Sequence, residues 1–341
     1  MRKYYLDWLR VYAIIAVVMI HVSAGVVLIN LFKHNSSFFL AGNLYETLSR
    51  YAVPIFFMIS GALMLGKREE IKIKGFLMKR TSKILVPLVF WSIFYYIYKV
   101  SKGTFEFSVP HFFRYLLTDQ INYHLWFMYV ILGLYLITPI LAIFIKNAKR
   151  VEIEYFLLLW GIATVISAFV GYFFGFTYKL ELNHVAGSIG FFVLGYYLDH
   201  YDFTKRANRS IYIAGLIGFV LTFVLTHWYT KNNNGQLDTY WYSNFAPNVV
   251  LVSMAIFLGM KSLNIRKALP PVLNLLSIYS FGIYLVHALI IYLLKDYSLY
   301  LDSNQNHPLI SVPINIVVIL TISTLVVYII KKIPLLNKLI P

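Results

Sequence analysis

The 341-residue sequence contains no cysteine. Disulfides, thiolate catalysis and Cys-based metal sites are thereby excluded, and redox chemistry says nothing about compartment. Charge is scarce too: 13% of residues are Asp, Glu, Lys or Arg, against about 25% in soluble domains. The deficit recurs along the whole length, which excludes a secreted enzyme, a nucleic-acid-binding domain and a disordered regulator. Linkers rich in Pro, Gly and Ser, low-complexity tracts and internal repeats are lacking. No His/Asp/Glu spacing resembles a zinc site, and no glycine loop suited to cradling phosphate is present. What fills the chain is apolar: 60% of residues are hydrophobic and the mean hydropathy is +0.70. This is the composition of an integral membrane protein.

A span needs about 20 mostly apolar residues to cross the hydrocarbon core. Ten stretches qualify, at 6–29, 47–66, 83–100, 125–145, 155–178, 186–200, 211–229, 246–263, 276–295 and 311–331. The first is too long, and lacks the small-residue cleavage site, for a removable signal peptide. The sixth is short and marked by Gly187, Gly190 and Gly195. The longest connections, 101–124, 230–245 and 296–310, are too short for a soluble domain, so residues 1–341 read as one transmembrane unit. The formal charge of +16 is explained by cytosolic segments rich in Lys and Arg. With the N-terminus inside, Arg2, Lys3, the seven cations from Lys67 to Lys83 and twelve others from Lys146 to Lys338 fall on inner segments. Lys33, Arg50, Lys99, Lys102, Arg114, Lys179, Lys231 and Lys295 fall outside. The expected fold is an all-α polytopic bundle of about ten transmembrane helices with both termini cytosolic.

The 28 Tyr and 27 Phe fit interfacial aromatic belts. Ionisable residues within spans are costly there, and each is a candidate functional residue. At 100° per residue, Asp7, Arg10 and His21 share a helix face within about 60° of arc. His21 lies roughly 16 Å along the axis from Arg10 and about 21 Å from Asp7. Asp7 therefore pairs with Arg10 and leaves His21 deep in the span. Two readings fit this spacing: a topological anchor with a helix–helix hydrogen bond from His21, or a functional imidazole above a charged mouth. The inner loop Lys67–Lys83 carries seven cations against Glu69 and Glu70. It suits an anionic ligand such as a nucleotide phosphate, and equally ordinary inner-side charge or lipid headgroups. Glu46 and Arg50 are i,i+4 and pair at the outer start of the second span. Pro54 and Ser60-Gly61 in that span suit a kink and close packing. His124, beside Trp126, reads as an interfacial anchor. His287, within the ninth span, reads as a packing hydrogen bond or a second polar lining of the same cavity. His34, His111, His184, His200, His227 and His307 fall in or near loops.

Taken together, these residues resemble a family. Leu6-Asp7-Trp8-Leu9-Arg10 followed by His21, Val53-Pro54-Ile55-Phe56-Phe57-Met58-Ile59-Ser60-Gly61, Arg80-x-x-Lys83-Ile84-x-x-Pro87, His124-Leu125-Trp126-Phe127 and the span holding His287 resemble the bacterial acyltransferase family 3, in order and over nearly the full chain. Lys83 stands where the family often has a second Arg. Lys keeps the charge and loses the bidentate fork. No SGNH-type domain is expected after the last span, unlike in some members.

The resemblance implies a multi-pass O-acyltransferase of the cell membrane, moving an acyl group, typically acetyl, from cytosolic acetyl-CoA to a hydroxyl of a surface glycan or its lipid-linked precursor. Acetyl-CoA is a substrate here, and no permanently bound cofactor or metal is implied. The implied partners are acyl-CoA, the saccharide acceptor and membrane lipid, with no nucleic acid. On this reading Arg10, Arg80 and Lys83 hold the donor phosphates, Asp7 orients Arg10, and His21 acts as base or acyl relay. Glu46, Arg50, His124, Trp126 and His287 contact the acceptor. An unperturbed imidazole pKa near 6.5 suits His21 to the work. Two other classes use the same spans: a transporter or flippase for a lipid-linked or anionic solute, and a sensor or scaffold without catalysis. Acyl transfer dependent on His21 separates them.

Overall fold

Inside a bilayer, backbone donors and acceptors must be satisfied within their own segment, so long apolar stretches fold as helices. A computed structural model describes residues 2–31, 36–66, 72–175, 186–233, 235–303, 305–334 and 336–340. Among these residues there is no strand, and the all-α expectation holds. The helices are α1 (Tyr4–Ile29), α2 (Ser37–Ser49), α3 (Ala52–Met64), α4 (Ile73–Ser101), α5 (Val109–Leu117), α6 (Trp126–Asn147), α7 (Arg150–Trp160), α8 (Ser167–Phe174), α9 (Ser188–His200), α10 (Lys205–Asn232), α11 (Pro247–Ser262), α12 (Pro271–Asp296) and α13 (Pro308–Lys332). A π-helical stretch, Gly161–Ile166, joins α7 to α8. Side-chain oxygens of Ser36, Ser108 and Thr204 accept from the backbone N–H groups of Phe39, His111 and Ala207, capping α2, α5 and α10. Lys33, His34, Lys67, Arg68, Glu69, Glu70, Lys179 and His184, and the end of the fifth expected span (176–178), lie outside the described residues.

Among the described residues, nine helical stretches are long and apolar enough to cross a membrane. Each overlaps one expected span. The remaining expectation, 186–200, is the 13-residue α9, about 20 Å long and shorter than a ~30 Å hydrocarbon core. It is enclosed by its neighbours from Gly190 to Asp199. Glycine makes this possible. A Cβ on Gly61 of α3 would lie 1.7 Å from the Phe192 carbonyl oxygen, and one on Gly195 would lie 2.0 Å from that of Met58. α3 and α9 thus meet backbone to backbone, the packing that small residues permit.

Two boundaries differ from expectation. The second crossing begins at Ser37 rather than at 47 and is broken between α2 and α3 at Arg50 and Tyr51. Pro54 has no N–H to offer the Arg50 carbonyl, four residues earlier. The cationic segment ending at Lys83 was expected as a loop, but from Ile73 onward it is the first three turns of α4. Lys, Met, Leu and Arg are good helix formers, and no proline intervenes before Pro87. The correction matters because a helix fixes where Arg80 and Lys83 point.

Polar contacts sort by end of the bundle. Lys3 Nζ and the Tyr5 hydroxyl each lie 2.5 Å from the Asp199 carboxylate. Lys261 Nζ donates to the carbonyls of Leu198 and Tyr201 and pairs with Asp202 at 3.1 Å. Arg150 donates to the Tyr197 hydroxyl. At the opposite end Lys102 pairs with Asp296 at 2.7 Å, and Tyr45 donates to the Leu309 carbonyl. Each pair joins segments that the Lys/Arg distribution puts on the same side. Buried apolar side chains from Tyr5 to Ile340 form one cluster. α1 is central, packed on α2, α3, α11, α12 and α13.

Candidate active site

α1 turns Arg10 and His21 toward a cavity of about 720 Å³. α3 and the preceding Arg50 supply a second wall, with Phe56, Ile59 and Ser60. α4 supplies Arg80, Lys83 and Ile84. α6 supplies Trp126, Phe127, Ile131 and Tyr135, with His124 just before it. α12 supplies Ser280, Phe281 and Tyr284, and the segment before α11 supplies Asn244. The cations Arg10, Arg80 and Lys83 gather toward the end that carries the N-terminus. His21, His124, Trp126 and Arg50 lie toward the other. Apolar side chains line the length between them.

Ten residues were expected at the site, and the structure divides them in a regular way. Arg10, His21, Arg50, Arg80, Lys83, His124 and Trp126 line the one cavity. Asp7, Glu46 and His287 do not reach it, and each stands directly behind a residue that does.

Asp7, 5% exposed, accepts from Arg10 Nη1 and from Arg2 Nε, both at 2.9 Å. The expected i,i+3 pair is present, and the carboxylate aims the guanidinium. Glu46, 1% exposed, forms the expected i,i+4 ion pair with Arg50. Its Oε1 also accepts from the Ser23 hydroxyl at 2.8 Å. The Arg50 guanidinium lies over the Tyr242 ring, 4.1 Å from the centroid, an arrangement that favours a cation. Tyr242 in turn donates to Asn43 Oδ1. Glu46 therefore sits in a buried network that fixes Arg50 and is not itself placed to touch a ligand in the cavity.

His287 is fully buried. Its ring stacks on His21 with centroids 5.1 Å apart, and His124 meets it edge-on at 5.3 Å. The three imidazoles form one cluster, closed by Tyr123 against His21 at 4.8 Å. His124 is 1% exposed, which replaces the interfacial anchor expected of it. His287 Nδ1 lies 2.6 Å from the Tyr284 carbonyl. A carbonyl can only accept, so Nδ1 carries the proton.

Sequence reasoning missed Tyr135, Asn244, Ser280 and Tyr284. For the α12 pair a signal existed: Ser280, Tyr284 and His287 fall within about 60° of one another at 100° per residue. Tyr135 sits within electrostatic reach of both Arg10 and Arg80. Nothing in the sequence around Asn244 marks it. No group of three or more His, Cys, Asp and Glu set to hold a metal ion occurs among the described residues.

The fold and site define a polytopic helical membrane protein whose internal cavity joins a cationic mouth to a buried imidazole. The family follows from comparison. A family model described as an acyltransferase domain matches residues 3–332, and the chain belongs to acyltransferase family 3. It is thus a membrane acyltransferase. No curated protein and no solved structure matches it.

Proposed function

We propose that this protein is an O-acyltransferase of the cell membrane, with both termini cytosolic. It moves an acetyl group from cytosolic acetyl-CoA to a hydroxyl of a surface glycan or lipid-linked sugar. The observation that carries the reading is the single cavity shared by Arg10, Arg80, Lys83 and His21. The cations suit the donor phosphates, and Arg10 is held ready by Asp7. The roughly 16 Å of α1 between Arg10 and His21 is a distance for an extended pantetheine arm to cover. His21 takes the proton of the acceptor hydroxyl as its oxygen attacks the thioester carbonyl. The new C–O bond forms, the C–S bond breaks, and the proton passes from His21 to the departing thiolate. Neutral His287, stacked behind His21, holds that ring in place against the cavity. Arg50, Asn244 and Trp126 hold the sugar, with Glu46 acting through Arg50.

The test is acetyl transfer by purified, folded His21→Ala. Loss of a general base lowers the rate about a hundredfold or more, and wild-type turnover in this variant would remove the assignment. A carrier for a lipid-linked or anionic solute would need the cavity without a covalent step. Solute movement that survives His21→Ala, with no acetylated product from the wild type, would establish that alternative.

A further inference from the structure

In the turn that leads into α6, Ile121, Asn122, His124 and Leu125 are 1–2% exposed, while Tyr123 in their midst is 47% exposed. The turn is pinned on both sides of Tyr123. The Tyr292 hydroxyl donates to Asn122 Oδ1 at 2.8 Å, and the Tyr284 hydroxyl donates to the His124 carbonyl. The Tyr123 hydroxyl itself makes no hydrogen bond among the described residues. Its ring meets His21 edge-on with centroids 4.8 Å apart, His124 at 5.5 Å and Tyr292 at 6.3 Å. His21 forms part of the large cavity wall and Tyr123 does not. One ring therefore stands between the His21 imidazole and the outside of the protein.

That outside is the end opposite the N-terminus. Tyr292 stacks on Tyr98 at 5.6 Å. Tyr98 donates to Asp296, which pairs with Lys102 at 2.7 Å. An ion pair one ring beyond Tyr292 marks a rim that meets water rather than lipid. Around Tyr123 and His21, four nitrogens are buried without a hydrogen-bond partner: Asn122 Nδ2, both of His124, and His287 Nε2. Unpaired buried donors and acceptors are costly, and each calls for a reason. A hydroxyl-bearing group seated where the Tyr123 ring now lies would give them partners.

We propose that Tyr123 is the acceptor gate: its ring turns away from His21 and admits a hydroxyl-bearing molecule from the outer face, while the donor comes from the cationic end of the cavity. The role rests on the acyltransferase reading and adds a second, separate entrance to it. Rotation between staggered side-chain wells breaks no hydrogen bond of the ring within the protein, and the pinned backbone on either side stays in place. With the ring turned out, Asn122 and His124 receive the entering hydroxyls. With it closed, water is kept from the thioester.

The chain has no cysteine, so His21→Cys puts a unique thiol at the reaction centre. His21→Cys and His21→Cys/Tyr123→Ala are compared in spheroplasts and in inverted membrane vesicles, with sulfonatoethyl methanethiosulfonate as a membrane-impermeant probe. Minor states are commonly populated at 0.1–10%, so removing the ring should speed labelling in spheroplasts by about tenfold to a thousandfold. The rate in inverted vesicles should stay the same. An unchanged rate in spheroplasts overturns the proposal. So does a rise in both preparations, which would make Tyr123 a packing residue, or a rise in inverted vesicles alone. These rates need no acetyl-CoA. In a second measurement Tyr123→Ala alone, given acetyl-CoA and no acceptor, should hydrolyse it about tenfold or more faster than the wild type. Water then takes the acceptor's place: its oxygen bonds to the acetyl carbon, the C–S bond breaks, and acetate and CoA leave. Hydrolysis no faster than in the wild type denies that the ring excludes water, and overturns the gate. Wild-type protein that consumes no acetyl-CoA with any membrane extract overturns the acyltransferase reading instead, whatever the labelling rates.

Discussion

His287 stacks on His21 with ring centroids 5.1 Å apart and planes inclined by 24°, and does not itself reach the cavity. Its Nδ1–H is directed at the Tyr284 carbonyl, which fixes the neutral tautomer with the lone pair on Nε2. That Nε2 is buried without a hydrogen-bond partner. The ring thus presents a flat, neutral face to His21.

A ring face is what this arrangement supplies, so an aromatic substitute should retain much of it. His287→Ala is expected to lower kcat by about tenfold, or ~1.4 kcal/mol of barrier, with KM for acetyl-CoA unchanged. His287→Phe should recover most of that loss. A fall in donor affinity in both variants would instead mark His287 as a packing residue that shapes the cavity.

The α3–α9 contact predicts a sharp asymmetry between glycines. Gly61→Ala brings a methyl within 1.7 Å of the Phe192 carbonyl oxygen, and backbone cannot move aside as a side chain can. The cost should reach or exceed the upper end of the ~1–3 kcal/mol seen for overpacked cores. Gly259→Ala in α11 meets nothing within 4 Å and should be neutral or stabilising by about 0.5–1 kcal/mol. Thermal unfolding followed by size-exclusion in detergent compares them. Equal melting temperatures would deny the close approach of the two helices.

These cases show where the sequence was legible. Spans, the shared face of Asp7, Arg10 and His21, and the Glu46–Arg50 pair follow from length and from 100° per residue, which are local rules. The mark of Ser60-Gly61 could be read as close packing, but not which helix Gly61 meets. The anchor reading of His124 fails because its ring neighbours come from α4 and α12, far away in the chain. That Asp7, Glu46 and His287 back Arg10, Arg50 and His21 depends on which side of a helix faces a void. An apolar chain conceals voids, since cavity wall and lipid-facing wall use the same residues.

Asp119, in the turn between α5 and α6, combines two penalties. Its φ is +56°, and its Oδ1 is buried without a hydrogen-bond partner. Burial pushes the carboxyl up to about 6. A raised carboxyl binds its proton more tightly in the folded protein. The stability this confers is fully present below the ordinary value near 3.8 and is lost as pH rises through 6. Asp119→Asn keeps a residue tolerant of the left-handed region and removes the charge. It should raise the melting temperature at pH 7.5 by about 1–2 °C and change little at pH 4. An equal gain at both pH values would trace the effect to backbone rather than to charge.

The donor end offers the last test, because α4 puts two different cations on one face. Arg80 and Lys83 are i,i+3, both line the cavity, and Arg80 makes no ion pair among the described residues. Arg10, by contrast, is tied to Asp7. If these groups hold the phosphates of acyl-CoA, the guanidinium fork should matter beyond its charge. Arg80→Lys should then raise KM for acetyl-CoA about threefold to tenfold, and Arg80→Ala about tenfold to a hundredfold. Lys83→Arg, which adds a fork, should leave KM unchanged or lower it. Because such contacts are screened by salt, KM in the wild type should climb with ionic strength, and less steeply in Arg80→Ala. A set of variants in which kcat falls while KM and its salt dependence stay fixed would place these cations outside the donor site, since a phosphate contact made on binding must show in affinity.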